Sequence, residues 1–431
     1  MKTTETFLLD KGVAVTFSEI DPATISKKGQ VAGGFSVHTW GSDNLLPQNR
    51  ELVIMDNNII GELISTKRSL IIGGGIIPFN VIYDGEVKRR EPQPVPAEIQ
   101  DWMDSFDFGN KYLVEAANQL LIHSNVFTGM MPNKAGNAIA SMMAYKCRDM
   151  RVEFYDFGKP VPGYIFGDFN KKNKQGKSDM KKIPTKSDRS EWIMHTKDGL
   201  FDNGVYAHPS YWGGSEWIQL SNVIPKFHKS NIRNGYTIRF HIEIPKDAFL
   251  DLRKYAKAEA TGIETEIQAC INEAANKKQE FIDSMNKFLS GEENVGRAIY
   301  TFFAHDEDGK KIEGVKINSI EADLKDEALL KLFEKSNQAN ISSMGIHPSI
   351  ASVETQGKLS SGSEMRNAIE IFVKIKSPLP RKILLTPFLY ALKANGWEKK
   401  YPFEWGFEDI VINKLDEEPT GSSQNITPTT N

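Results

Sequence analysis

The chain has 431 residues, of which 40% are hydrophobic and 25% are charged, as is usual for a globular protein in water. This length suits two or three domains or one interwoven subunit. The 53 Lys and Arg against 56 Asp and Glu give a formal net charge of −3, which argues against a protein that holds nucleic acid on a strongly basic surface.

Cysteine usage and hydropathy exclude further classes. Cys147 and Cys270 are the only cysteines, and they are too far apart for a C-x-x-C spacing. The sequence therefore predicts neither a zinc site nor a disulfide framework, and it favours a reducing compartment. The N-terminus has no apolar core of signal-peptide length, and nowhere do ~18 apolar residues run without interruption. We expect neither secretion by a signal peptide nor a membrane span.

The first quarter of the chain predicts an arm followed by a helix and two strands. Residues 1–40 are polar with few periodic segments, which is typical of an arm that orders against neighbours. Apolar residues recur at helical spacing from Asn49 to Ser69, and the pattern then predicts a strand, a glycine break and a second strand. Gly73-Gly74-Gly75 would suit a phosphate-binding loop, but no Lys-Ser/Thr follows, so a kink is the favoured interpretation.

The next segments predict a helix and then a sheet. Ile99 to Ser124 has helical periodicity, whereas Val126 to Tyr164 alternates as strands do. Lys171 to Ser190 holds eight Lys or Arg against two Asp. That run suits a nucleic-acid contact or a solvated hairpin tip, and the hairpin tip is favoured because no aromatic residues interleave for base stacking.

An aromatic cluster and a group of metal-ligand types follow. The cluster suits either a stacking platform or a core, and its members are Tyr206, Tyr211, Trp212 and Trp217. Asn222 to Ile244 alternates, which predicts strands with a turn at Asn234-Gly235. His228, His241 and Glu243 invite a metal-site interpretation, but their spacing is not diagnostic, so we expect no metal and no other cofactor.

The region from Pro245 to Ile320 predicts a small module between helices. Pro245 to Leu289 predicts two or more helices that separate at Thr261-Gly262. Strands are expected at Arg297–Phe303 and Gly314–Ile320, with a turn between them. Since helical patterns flank this region, the module lies between two helices in chain order.

The last part of the chain predicts a helix, a loop and an interrupted helix. A helix is expected from Asp323 until Gly345 stops it. The Gly- and Ser-rich stretch Ser349–Ser363 predicts a loop, and Ser363 suits the cap of the next helix. Prolines interrupt that helix before Asn395-Gly396 ends it.

Short phrases in this order resemble the portal proteins of tailed bacteriophages. They are FIDSMNKFLSGEENVGRAIYTFF, the following stretch through NISSMGIHPSIAS, and the long helix that ends in NGW. Earlier, WGSDNLLPQNRELV followed by TKRSLIIGGGIIP resembles the start of such proteins. The resemblance covers about two thirds of the chain, between Trp40 and Trp397.

The resemblance implies an α+β, portal-like fold with an α/β wing, two antiparallel stem helices, a small α/β clip and a long kinked C-terminal helix. The implied parts are the wing (1–244), a stem helix (245–262), the clip (263–322), a second stem helix (323–345), a tunnel loop (346–364), a channel helix with wing completion and a short crown (365–415) and a disordered tail (416–431).

The resemblance also implies a ring, most often of twelve subunits, at one capsid vertex of the virion, assembled in the host cytoplasm. Its implied partners are the major capsid protein, the terminase large subunit, the head–tail connector and double-stranded DNA that passes through the channel. Contacts between ring subunits are expected from the faces Ile371–Ile375 and Ile383–Leu392. Residues expected at the DNA tunnel are Gln356, Lys358, Ser360 and Ser361. Residues expected at the clip and its docking partners are Arg297, Tyr300, Asp306, Lys310 and Lys311.

No catalytic constellation stands out in the sequence, so we expect no enzymatic activity. Two alternatives stay open. The chain would suit another virion structural protein, such as a connector or a baseplate component. It would also suit a carbohydrate-active enzyme if the aromatic cluster formed a stacking platform.

Overall fold

The computed structural model describes residues 5–9, 13–17, 30–32, 34–85, 87–169, 180–234, 240–243, 249–289, 316–319, 326–351 and 362–410. These form two compact units. Unit 1 is Met1–Gln219 with Ser336–Asn431, and unit 2 is the intervening Leu220–Lys335. Unit 2 is therefore an insertion into unit 1 in chain order.

Unit 1 contains helices from both ends of the chain. They are α1 (Leu46–Met55), α2 (Ile60–Ile72), α3 (Ala97–Ser105), α4 (Glu115–His123), α9 (Gly362–Ile371), α10 (Pro378–Ala394) and α11 (Trp397–Lys400). A π-helical turn at Gly109–Val114 leads into α4, and another at Phe372–Lys376 joins α9 to α10. The second turn comes shortly before Pro378, whose ring and missing N–H suit the first turn of a helix.

The strands of unit 1 form small antiparallel sheets. Their bounds are β1 (Glu5–Leu9), β2 (Val13–Phe17), β3 (Gln30–Ala32), β4 (Phe35–Val37), β5 (Ile76–Asp84), β6 (Val87–Pro92), β7 (Asn125–Pro132), β8 (Ile139–Tyr145), β9 (Met150–Val152), β10 (Tyr164–Phe166), β11 (Lys181–Ile183), β12 (Trp192–Lys197) and β15 (Glu404–Phe407). The sheets have the orders β12-β7-β8, β11-β10-β9 and β15-β5-β6, and the pairs are β1-β2 and β3-β4.

The C-terminal strand closes against the first quarter of the chain. β15 pairs with β5 in antiparallel register, from Glu404 opposite Phe79 to Phe407 opposite Ile76. The glycine break makes room for it, because Gly73 has φ +56° and a Cβ there would lie 2.1 Å from the carbonyl oxygen of Glu408. The Gly74 N–H donates to that same oxygen at 3.0 Å. The triple glycine is therefore a helix-to-strand turn that the C-terminal segment crosses.

Three buried clusters stabilise unit 1. The largest joins α3, α4, β7 and β8 to α10, and Leu384 and Phe388 are fully buried in it. The Tyr112 hydroxyl donates to the Leu384 carbonyl oxygen at 2.6 Å, which ties the two ends of the chain together inside the core. The second cluster surrounds Trp40, and the third packs α1 and α2 against Ile341 and Met344.

Unit 2 has a helical hairpin and one strand pair among its described residues. The helices are α6 (Leu252–Thr261) and α7 (Glu264–Leu289), and Gly262, with φ +64°, ends the first. Asp251 caps α6 by accepting from two backbone N–H groups. β13 (Phe240–Glu243) pairs antiparallel with β14 (Lys316–Ser319).

The chain passes from one unit to the other within a helix in both directions. α5 (Ser215–Asn234) contains the boundary on the outward path, and α8 (Asp326–Met344) contains it on the return. Within unit 1 the start of α5 meets the end of α8, because a Cβ on Gly214 would lie 3.1 Å from Ser343. Within unit 2 the strands that follow α5 and precede α8 are hydrogen-bonded partners.

Several expected elements differ from the structure. The single helix at Asn49–Ser69 is two helices, because the Asn57 side chain accepts from the N–H groups of Ile59 and Ile60 and starts α2. The first strand expected before the glycines is the end of α2. The strand pattern from Asn222 is wrong as far as Asn234, where the chain is helical, and right at β13.

Candidate assembly surface and channel segment

The residues that the sequence singles out for DNA and partner contacts lie outside the described residues. Those for the tunnel are Gln356, Lys358, Ser360 and Ser361. Those for the clip are Arg297, Tyr300, Asp306, Lys310 and Lys311. The structure describes the segments that flank residues 352–361 on both sides, and these segments carry the features below.

The segment before residues 352–361 is anchored at the end of α8. Gly345 has φ +66° and ends the helix, as the sequence predicts. The Lys67 Nζ donates to the Met344 carbonyl oxygen at 3.0 Å, so a cation caps the negative end of the helix dipole. Ser349 and His347 form a hydrogen bond at 2.7 Å in the turn that follows. The chain therefore leaves α8 from a fixed position.

A groove separates the end of α8 from α9. It has a volume of about 410 Å³. The residues that line it include Ile341, Ile346, Ala368, Ile371, Phe372 and Lys376. The lining is mostly apolar, with an ammonium group from Lys376. Burial, and to a smaller extent the charge of Lys376, lowers the pKa of Lys67 to about 8.

The helix beyond the groove exposes an apolar stripe. Ile371, Ile375 and Leu379 are 57%, 69% and 55% exposed, and they follow one another every four residues. Ile371 ends α9, Ile375 lies in the π-helical turn and Leu379 lies in α10, so the exposed apolar side chains follow one another along this interrupted helix. An exposed apolar set of this kind marks an interaction surface. We call these three residues the apolar stripe.

The other expected ring-contact face belongs to the core. Ile383 is 9% exposed, and Leu384, Phe388 and Leu392 are buried in the cluster that contains α3 and α4. The expectation that the Ile383–Leu392 face meets a neighbouring subunit is therefore wrong for these residues, because they satisfy their burial within the chain. Ile371 and Ile375, in contrast, are exposed.

The aromatic cluster is mostly interior. Tyr206 stacks on Trp40 with ring centroids 4.0 Å apart and planes 8° apart. Tyr211 and Trp212 are 3% and 5% exposed, and the Arg50 guanidinium lies 4.7 Å above the Trp212 ring. Three of the four residues therefore fill the core of unit 1, and only Trp217 of the four, at 42%, reaches the surface.

A buried polar relay was not predicted from the sequence. His123 is fully buried, and its Nε2–H donates to Glu51 at 3.2 Å. Its Nδ1 accepts from Arg50 at 3.4 Å, so the neutral imidazole joins a buried cation to a carboxylate. Arg148 pairs with the same carboxylate at 3.2 Å. Burial lowers the pKa of His123 to about 4, which keeps it neutral at pH 7.

A second buried arginine holds the segment before α1 in place. Arg151 is fully buried and donates to the side-chain and backbone oxygens of Asn44 at 2.6 and 2.5 Å. It also donates to the carbonyl oxygens of Cys147 and Met150. Burial lowers its pKa to about 10, so the group stays charged at neutral pH. A lone arginine in a sequence carries no signal of this role.

The basic run is part of a hairpin in the structure. Lys181–Ile183 is β11, which pairs antiparallel with β10 at Tyr164–Phe166. Residues 170–179 thus connect two paired strands, in agreement with the favoured hairpin interpretation; the connection itself lies outside the described residues.

The described part of the chain shows no group of three His, Cys, Asp or Glu close enough to hold a metal ion. His228 lies in α5, and His241 and Glu243 lie in β13. Among the described helices, none has the length and hydropathy needed to cross a bilayer.

Comparisons with known proteins give structural likenesses alone. No protein-family model and no curated protein sequence matches the chain. A chain from the "Neck of empty GTA particle computed with C6 symmetry" is 12% identical with a TM-score of 0.45, covering 87% of this chain and 86% of its own. A chain from the "Virion of native gene transfer agent (GTA) particle" is also 12% identical with a TM-score of 0.45, covering 81% of each chain. Likenesses of this extent establish neither a common fold nor a common function.

Proposed function

We propose that this chain is a portal-type subunit that forms a ring at one vertex of a phage-like capsid. The observation that carries the proposal is the nested path of the chain. The order helix, strand, hairpin of helices, strand, helix runs through α5, β13, α6–α7, β14 and α8, and each unit holds its outgoing and returning segments side by side. This is the arrangement that a stem and a clip require.

In this proposal α5 is the outgoing stem helix and α8 the returning one. α6 occupies part of the 245–262 region that the sequence suggests for a stem, but it forms a hairpin with α7 through the short turn at Gly262-Ile263. Lys254 and Glu273 form an ion pair between these helices at 3.5 Å. The clip then starts near β13 and ends near β14, and the wing is unit 1.

The tunnel loop of this ring is the segment between α8 and α9. Its residues Gln356, Lys358, Ser360 and Ser361 combine one cation with small polar groups. Such a lining gives weak, salt-sensitive contacts with phosphate, which suits DNA that slides during packaging and ejection. The balanced charge of the whole chain has the same advantage, since a strongly basic channel would retain the polyanion.

The partners follow from this position. The clip, with Arg297, Tyr300, Asp306, Lys310 and Lys311, would meet the terminase large subunit and later the head–tail connector. The wing would contact the major capsid protein. The ring would assemble in the host cytoplasm and remain in the virion, and ATP hydrolysis would belong to the terminase, so this chain needs neither cofactor nor catalytic group.

The apolar stripe is the proposed contact between neighbouring ring subunits. Burying one isoleucine side chain contributes about 2 kcal/mol, which corresponds to about 30-fold in an association constant. An unpaired carboxylate in the same place costs more because it loses its water. Ile375→Asp should therefore lower ring formation at least 30-fold, whereas Leu200→Asp, at a residue 66% exposed elsewhere on unit 1, should leave it unchanged.

Native mass spectrometry and negative-stain imaging of the two variants beside the unchanged chain test this. Rings in the unchanged chain and in L200D, but not in I375D, support both the ring and the stripe. Rings in all three would remove the stripe from the interface while keeping the ring. A compact dimer in all three would favour the alternative of another virion structural protein.

The enzyme alternative has lost its main support. It depended on Tyr206, Tyr211, Trp212 and Trp217 as a stacking platform, and the first three are core residues. A connector or baseplate component is the remaining alternative, and it would not require the nested path of the chain through α5 and α8.

A further inference from the structure

The outer strand of one sheet in unit 1 presents an open edge. β6 pairs with β5 on one side, and among the described strands it ends the sheet order β15-β5-β6. Each residue from Lys88 to Pro92 is exposed, whereas β15, at the opposite edge of the same sheet, is mostly buried. An exposed strand edge offers a row of backbone groups with which a further strand can pair.

The register of the hairpin shows which backbone groups of β6 face β5. The Gln93 N–H donates to the Pro78 carbonyl oxygen at 2.9 Å, and the pairing of β5 with β6 continues from there without a register shift. Hydrogen-bonded and non-hydrogen-bonded pairs alternate along an antiparallel ladder. The backbone N–H and C=O groups of Arg89 and Glu91 therefore face β5, and those of the residues between and beside them point away from the sheet.

The outward groups belong to Lys88, Arg90 and Pro92. Lys88 and Arg90 each offer an N–H and a C=O, and within the described residues these groups have no hydrogen-bond partner. Pro92 offers a C=O alone, and its missing N–H removes no bond from the ladder because that position points outward. The edge can therefore pair with the backbone of an extended segment along the whole stretch from Lys88 to Pro92.

The charge of this edge favours an acidic partner over a second copy of the chain. Lys88, Arg89 and Arg90 are consecutive, and Glu404 pairs with Lys88 at 2.6 Å and also with Arg90. Two carboxylates, those of Glu404 and Glu91, thus stand against three cations, which leaves the edge net positive. Two β6 strands paired in antiparallel register about Arg89 would place Lys88 opposite Arg90, and like charges directly opposite destabilise such a pair.

We propose that the open edge of β6 binds an extended acidic segment of a partner protein, which joins the sheet as a further antiparallel strand. The backbone groups of Lys88 and Arg90 hold the segment, and its acidic residues lie directly opposite these two cations, on the same face of the sheet. This surface is separate from the apolar stripe. The inference does not depend on ring formation, because the whole sheet belongs to unit 1 of one chain.

The test is the binding of a synthetic peptide to the full-length chain, followed by fluorescence anisotropy at low salt. The probe is a dye-labelled peptide of alternating Glu and Val, about seven residues long, which spans β6 at about 3.3 Å per residue. One control peptide carries N-methyl groups on its Glu nitrogens, whose N–H groups would face β6. The other carries them on its Val nitrogens, whose N–H groups would point away. All three peptides have the same charge.

Two variants at one position separate the backbone from the charge. Arg90→Pro removes an outward N–H and leaves the hydrogen bonds between β5 and β6 in place. Arg90→Gln removes the same charge and keeps the N–H. Because one hydrogen bond of this kind contributes up to about tenfold in affinity, R90P should bind the probe about tenfold more weakly than R90Q. Lys393→Gln, at an exposed cation on α10, should leave the affinity unchanged.

Weak binding of the Glu-methylated peptide, beside tight binding of the probe and of the Val-methylated peptide, supports the added strand. Equal affinities for all three peptides would overturn the proposal, since charge alone would then account for the binding. Failure of the unchanged chain to bind the probe would overturn it as well. The peptide controls use the unchanged chain, so the test holds even if R90P disturbs the hairpin.

Discussion

A fully buried neutral histidine should make unit 1 sensitive to acid, and His123→Gln should remove part of that sensitivity. His123 lies between the Arg50 guanidinium and the Glu51 carboxylate. A proton added to Nδ1 would face the arginine across 3.4 Å and would break the hydrogen bond there. Burial and this neighbouring charge lower the pKa of His123 to about 4.

The magnitude follows from linkage between protonation and folding. Between about pH 6.5 and pH 4 the unfolded chain binds a proton at this residue and the folded chain does not, so stability falls as the pH falls. From about pH 7 to pH 5 the loss from His123 is about 2 kcal/mol, and below about pH 4 the loss reaches its limit of about 3 kcal/mol. His195 is partly buried, its pKa is lowered to about 3, and it adds a further loss.

Urea unfolding followed by tryptophan fluorescence measures this in the relevant unit. All seven tryptophans, from Trp40 to Trp405, belong to unit 1. The free energy of unfolding of the unchanged chain should fall steeply from pH 7 to pH 5. In H123Q the value at pH 7 should be lower, but its fall over the same range should be smaller by about 2 kcal/mol.

His347→Gln is the matched control, because His347 is exposed on the surface of the same unit. The difference in the free energy of unfolding between this variant and the unchanged chain should be the same at pH 7 and at pH 5. If the free energy of unfolding fell by the same amount from pH 7 to pH 5 in H123Q and in the unchanged chain, the buried neutral state of His123 would be refuted.

Two further predictions concern stability, measured by the same unfolding assay at pH 7. Gly73→Ala should lower the free energy of unfolding by about 1–3 kcal/mol, because φ is positive there and the new Cβ meets the Glu408 carbonyl oxygen. Gly61→Ala, in open space on α2, should raise it by about 0.5–1 kcal/mol. Equal effects of the two substitutions would contradict the close approach of Glu408 to Gly73. Arg151→Met should lower the free energy of unfolding by about 3–5 kcal/mol, because buried acceptor groups would lose their hydrogen bonds. Arg90→Met, in an exposed ion pair, should lower it by under about 1 kcal/mol. A loss for R151M as small as that for R90M would contradict the buried hydrogen bonds of Arg151.

Local signals in the sequence are sufficient to predict where a helix ends, because the backbone conformation of a single glycine can end it. Gly262, Gly345 and Gly396 all have positive φ at the ends of helices, as expected from their positions after helical patterns. The pairing of strands, in contrast, cannot be predicted from a local pattern. The local pattern predicts β14 as a strand, but it does not indicate that β13 is its partner, because pairing between distant segments depends on tertiary structure.

Other features depend on contacts that a single sequence does not encode. Asn222–Asn234 alternates like a strand yet forms a helix, because local propensity is weak against packing. Ile375 and Ile383 are the same residue type in neighbouring turns of an apolar helical pattern, but Ile383 packs in the core whereas Ile375 is exposed. The relay through His123 joins α1 to α4, and nothing in either segment signals the other.

We propose that the chain assembles into a ring with an axial hole. Native mass spectrometry of the purified full chain, followed by negative-stain imaging, tests it most directly. We expect a species with a mass near twelve times that of the subunit, closed by head-to-tail contacts. A compact dimer with no rings at any salt concentration would contradict it.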